Sequence, residues 1–218
     1  MVLKETGRKQ ITVPRVGDAS AARTWFNRRR VANACRLLLA MICCANFLNT
    51  QLLHAQSQDD EYRVKAAFLY HFAQLVEWPP DALKPNDRQL LLCTLGEDPF
   101  QGKLESTIEG KLVENRTLRV RHFASVSSDL RGCQILFIGH DESKHLGVAL
   151  AAVQNSAVMT VGETDSFLAQ GGVISFSLHE ARIRFEINLT AAEKSHLKIS
   201  SRLLLLASRV IGNISGER

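Results

Sequence analysis

The densest group of residues able to do chemistry is His140, Asp141, Glu142, Ser143 and His145, directly after the apolar run CQILFIG. Imidazoles and carboxylates together can hold a divalent metal, and the loops leaving strand carboxyl ends are where α/β proteins place ligands. The same acidic residues also suit a solvated helix start, where the positive end of the helix dipole favours them. That simpler assignment is adopted, and no metal is assigned. A second polar set lies on RIRFEINL. Arg182, Arg184, Glu186 and Asn188 share one face, and Ile183, Phe185, Ile187 and Leu189 the other. The planar fork of Arg makes bidentate contacts, so this face, with His179 beside it, is the candidate partner-binding surface. The bland alternative is lateral pairing of the Arg and Glu side chains within the strand. No GxSxG elbow, GxxxxGK[ST] loop, GxGxxG fingerprint or HExxH helix occurs. No catalytic residue and no cofactor are therefore assigned.

The surrounding elements follow from periodicity. EYRVKAAFLYHFAQLVEW places Val64, Ala67, Phe68, Phe72, Leu75 and Val76 at helical spacing, and Pro79–Pro80 ends the helix. RQLLLCTLG, TLRVRHFA, CQILFIG and AVMTVGE read as strands, with EDPFQGKLESTIEG and SKHLGVALAAVQN as the helices between them. VISFSLHE and RIRFEINL form the clearest hairpin, turning near Glu180–Ala181. TAAEKSHLKISSRLLLLASRVIG predicts one or two helices, with Thr190 as N-cap and Glu193 in the capping-box position. Trp78 and the Leu203–Leu206 run are expected in packing or a dimer seam. Helices alternating with buried strands imply one α/β domain. Its mixed, mostly parallel central sheet has about six strands, with helices on both faces.

Length and charge narrow the function classes. With 218 residues, 45% hydrophobic and 22% charged, the chain is a folded protein with room for one well-cored domain. The net charge of +5 suggests an anionic partner, but residues 1–55 hold 9 Lys/Arg against 2 Asp/Glu. The remainder holds 18 against 20, so nucleic acid is not the expected partner. Arg28, Arg29 and Arg30 precede an apolar stretch from Leu37 to Leu48, and Ala55 fits the residue before a cleavage site. This is the order of a secretory signal. The stretch is shorter than the roughly 20 residues a membrane-spanning helix needs. Residues 1–55 are thus read as a signal peptide with an over-long N-terminal extension, and 56–218 as the exported domain. Of the five cysteines, Cys35, Cys43 and Cys44 leave with the leader. Cys93 and Cys133 remain. In an oxidising compartment one disulfide is the default, two independent buried thiols the alternative.

In order along the chain, YRVKAAFLYHFAQLVEWP, LLLCTLGEDPF, CQILFIG and GGVISFSLHEARIRFEINLTAAEKSHLKISSRLLLLASRVI resemble the YfiR family of exported bacterial proteins. The last segment, with FEINL followed by LKISS, is the most specific. The resemblance implies a periplasmic, commonly homodimeric α/β regulator that is not an enzyme. It implies a membrane diguanylate cyclase as partner, and with it cyclic-di-GMP signalling and biofilm control. An outer-membrane lipoprotein is the implied antagonist. The family's redox-sensitive disulfide maps onto Cys93 and Cys133, while a second cysteine pair is absent. Two alternatives are a periplasmic small-ligand receptor feeding another signalling protein and a metal-dependent hydrolase.

Overall fold

A computed structural model describes residues 59–83, 88–180 and 182–212, all within one unit, Ala55–Arg218. The expected signal peptide, residues 1–55, lies outside the described residues.

The first helix, α1, spans 59–75 and leads into a two-residue strand, β1 (Val76–Glu77). Then come β2 (Gln89–Leu95), α2 (Lys103–Ile108), β3 (Leu112–Val113), β4 (Arg116–Phe123), β5 (Ile135–Ile138) and α3 (Leu146–Ala152). The chain continues through β6 (Met159–Gly162), β7 (Ile174–His179), β8 (Arg182–Asn188), α4 (Leu189–Lys194), β9 (Lys198–Ile199), α5 (Ser201–Leu206) and β10 (Arg209–Ile211). The main sheet has the order β10-β8-β7-β6-β5-β2-β4-β3, and β1 pairs with β9 separately. From β4 through β7 all neighbours are parallel, whereas β7–β8 and β3–β4 are antiparallel and β10 joins β8 in parallel.

The α/β class and mostly parallel sheet match expectation, but the main sheet has eight strands, not six. Both extra strands are very short. β3 turns into β4 through Glu114 and Asn115, each with positive φ (48° and 63°), the geometry of a two-residue hairpin turn. Glutamate is not a residue that advertises that conformation. β10 lies in the stretch read as helix, because the leucine run before it masks the return to an extended chain.

The central strands send alternate residues into two layers. Leu90 and Leu92, Ile135 and Phe137, Met159 and Val161 face one layer with Ala66, Leu69, Phe72 and Ala73 of α1. Cys93, Leu95, Leu136 and Ile138 face the other, against Leu146 and Ala149 of α3. Burial on both sides explains why β2 and β5 read as unbroken apolar runs. This covering does not reach the hairpin. There Phe176, Phe185 and Ile187 point into the α1 layer, while Ser177, His179, Arg182 and Arg184 on the opposite face are exposed. Helices on both faces therefore describe the middle of the sheet only.

Two local expectations are corrected. α1 buries Tyr62, Lys65, Ala66, Leu69, Phe72 and Ala73, and Val64 is 43% exposed, so the helix is rotated from its purely apolar stripe. The N-cap of α4 is Asn188, not Thr190: its Oδ1 accepts from the Ala191 N–H at 3.0 Å. Trp78 is half-buried and donates its indole N–H to the Gln134 carbonyl at 3.2 Å. Of the leucine run, Leu203 is buried, but Leu205 and Leu206 are exposed.

Candidate functional site

After β2 the chain crosses to β4 on one side and then returns to β5 on the other. This reversal opens a crevice at the strand carboxyl ends, the general position for ligands in such sheets. Gly96 (φ 91°) and Gly139 form its two lips, and a Cβ at either would clash with the Asp141 carboxylate held between them. Asp141 Oδ2 accepts from the Glu97 N–H at 2.8 Å, tying the β5 loop to the β2 loop. The cavity is about 500 Å³ and is lined by Asp59, Tyr62, Glu97, Asp98, Lys103 and Glu163, among others.

Under the crevice lies a buried polar cluster. Glu163, directly after β6, accepts from the Tyr62 hydroxyl (3.0 Å) and the His140 N–H (3.1 Å) through Oε1. Its Oε2 accepts from Lys65 Nζ at 2.5 Å, and Lys65 also pairs with Glu61. Lys65 is 3% exposed. An ion pair this deep persists because every partner is satisfied. Burial, and then the neighbouring Glu163 charge, push the Tyr62 phenol well above its ordinary value. Tyr62 is held protonated as a donor to Glu163.

A third constellation sits under α2. Thr94 Oγ1 lies 2.7 Å from His122 Nδ1, and His122 Nε2 lies 2.7 Å from Glu105 Oε1. The order hydroxyl, imidazole, carboxylate is that of a nucleophilic relay. However, Thr94 has no solvent exposure, so no substrate carbonyl reaches its oxygen. The chain of bonds fastens α2 to β4 and β2.

The polar group around residue 140 disperses. Asp141 serves the crevice lips, His140 contributes its backbone N–H to Glu163, and His145 lies 3.3 Å from Glu142. Residues 140–145 form a 3₁₀ turn before α3. No set of three or more His, Cys, Asp or Glu is arranged to hold a metal ion among the described residues.

The partner-binding candidates also divide. His179 faces Arg182 across the hairpin, and Arg182 and Arg184 are exposed. Glu186 pairs with Arg209 on β10 (Nε at 3.0 Å) rather than with an arginine of its own strand. Asn188 is committed to capping, and its Nδ2 donates to the Leu168 carbonyl at 3.1 Å. The open face is therefore His179, Arg182 and Arg184.

Cys93 and Cys133 are joined, with Cα atoms 6.0 Å apart. Cys93 lies opposite Leu136 in the β2–β5 register. Cys133 reaches it because it leaves the 3₁₀ turn Ser128–Gly132 before β5 begins. Nothing in the local sequence marks Lys65, Glu163, Thr94 and His122 as members of these clusters. Lys65 and Glu163 stand 98 residues apart, a separation that no local spacing reveals.

The fold and crevice define an α/β protein with a mixed sheet and one half-open face. The chain belongs to the YfiR/HmsC-like family, whose model matches residues 62–208. No curated protein matches the chain. Among solved structures, it is similar to a conserved domain protein from Vibrio cholerae O1 biovar El Tor, with 12% identity and a TM-score of 0.42. That match covers 60% of this chain and 57% of the other. It is also similar to an ABC domain in complex with L-Trp from Streptococcus pneumoniae, with 12% identity and a TM-score of 0.43. That match covers 61% of this chain and 58% of the other. The chain thus spans less than two thirds of both, and at this similarity neither bears on function.

Proposed function

We propose that this protein is an exported periplasmic regulator that restrains a membrane diguanylate cyclase by binding the cyclase's periplasmic region. The observation that carries the reading is the family match over residues 62–208, nearly the whole described domain. In this reading the leader directs export, the protein works as a homodimer, and an outer-membrane lipoprotein competes for it. No helix among the described residues is long and apolar enough to cross a membrane, which suits a protein acting on a membrane partner from outside. The exposed edge of the hairpin, Arg182 and Arg184 with His179, supports recognition of a protein surface. To inhibit, the protein must bind the inactive sensor conformation more tightly than the active one, because equal affinity shifts nothing.

Gene deletion in the native host, followed by measurement of cyclic-di-GMP, tests the reading. The expected result is a rise in cyclic-di-GMP and in biofilm; unchanged levels across growth conditions reject the cyclase partner. Arg184→Glu tests the surface: it is expected to weaken the partner complex at least tenfold with little change in thermal unfolding. Full affinity in that variant rejects the hairpin face while leaving the regulatory reading intact.

A further inference from the structure

The crevice is one end of a longer groove. It shares Tyr62, His140 and Glu163 with a second cavity of about 430 Å³. That cavity shares Glu61 and Leu178 with a third of about 530 Å³, whose walls include Val64, Phe68, Arg182 and Ile183. The groove follows the N-terminal half of α1 from the β2 loop to the hairpin. Its ends differ in chemistry. At the crevice, Lys103 is paired with Asp59 at 2.7 Å and Lys65 is consumed by Glu61 and Glu163. The carboxylates of Glu97, Asp98 and Asp141 have no cation beside them among the described residues. At the hairpin, Leu178 is 60% and Val64 43% exposed, over half-buried Phe68 and Ile183.

We infer that this groove is the docking site for a segment of the partner protein that carries a basic side chain and an apolar one. The basic group enters the acidic crevice, and the apolar group covers Val64, Phe68, Leu178 and Ile183. The inference rests on the regulatory reading above and deepens it by naming the surface and the partner's chemistry. Charge complementarity selects the orientation, since Glu97, Asp98 and Asp141 lie at the crevice end and Asp165 between the ends, whereas the hairpin end presents Arg182. Spacing selects the segment. Tyr62 and Phe68 are six helical residues apart, about 9 Å along the axis at roughly 1.5 Å per residue. In an extended chain rising roughly 3.3 Å per residue, the two anchors stand about two to four residues apart. The groove also ends at Arg182, so a segment lying in it meets the exposed hairpin face.

The test uses the exported, disulfide-bonded protein and two probes: the purified periplasmic region of the host's diguanylate cyclase, and an array of random-sequence decapeptides. Leu178→Asp is expected to weaken both interactions at least tenfold, with Val64→Asp as the second variant should Leu178→Asp fold poorly. The double variant Glu97→Lys/Asp98→Lys is expected to weaken both about tenfold and to abolish the loss of affinity with added salt. Val148→Asp, exposed on α3 and outside the groove, is expected to change nothing. The array is expected to select Lys or Arg two to four residues from Leu, Ile or Phe. No such preference, or the same peptides bound by the groove variants, overturns the inference whatever the cyclase does. Selection of that motif without binding to the cyclase region supports the groove and rejects the cyclase as partner.

Discussion

The same sheet carries two acid–base pairs in opposite circumstances. Lys65 and Glu163 meet beneath the crevice with side chains only 4% and 6% exposed. Glu186 and Arg209 join β8 to β10 with 26% and 61% exposure. Both are close contacts, so geometry alone would rank them equally. Burial separates them. A desolvated charge depends on its partners, and removing one leaves the other stranded. An exposed pair gives up water for little and is screened by salt. The first pair anchors α1 to the loop after the central strand β6 and shapes the groove; the second decorates an edge.

The largest effect is expected from the covalent tie between β2 and the start of β5. Cys93→Ala/Cys133→Ala opens a link spanning 40 residues. Removing it is expected to cost about 4 kcal/mol by loop-closure entropy, read from denaturant unfolding. A cost under about 1 kcal/mol would show that β2 and β5 need no crosslink. Next, Glu163→Ala is expected to cost about 3 kcal/mol, because Lys65, Tyr62 and the His140 N–H all lose a partner. Replacing both members, Lys65→Met with Glu163→Leu, should recover much of that loss, and the double-mutant cycle gives the coupling directly. Asn188→Ala tests an intermediate case, a helix cap beside the exposed edge, with an expected loss of about 1 kcal/mol. Last, Glu186→Gln should leave the unfolding midpoint where it is at physiological salt. Equal effects of Glu163→Ala and Glu186→Gln would erase the distinction between the two pairs.

What the sequence disclosed follows the same division. β2 and β5 were legible because strands buried on both faces are apolar throughout. The β7–β8 hairpin was legible from two alternating runs and its turn, where Glu180 adopts φ 50°. β3 and β10 were not, since two or three residues carry no period. The facing of α1 departs from its apolar stripe because such a stripe excludes lysine, yet Lys65 is among its deepest residues. The strand at TLRVRHFA is legible, but nothing near His122 marks Glu105 and Thr94 as its partners. The crevice itself depends on strand order, which periodicity does not encode. Among the hairpin candidates, alternation places Arg182 and Arg184 on one exposed face, but cross-strand pairing engages Glu186 and helix capping engages Asn188.

The bond between Cys93 and Cys133 has a consequence for the protein's survival among proteases. Between its two ends run the β2 loop, α2, the β3–β4 hairpin and the 3₁₀ turn before β5, most of the irregular backbone on that side. A single cut anywhere from residue 94 to 132 therefore leaves two pieces still tethered, with β2 and β5 side by side in the sheet. Such a nicked molecule migrates as one species until it is reduced, and reduction then frees its fragments. In an oxidising compartment the crosslink makes this stretch tolerant of cleavage, and exposure to a reductant converts an earlier, silent cut into loss of the protein.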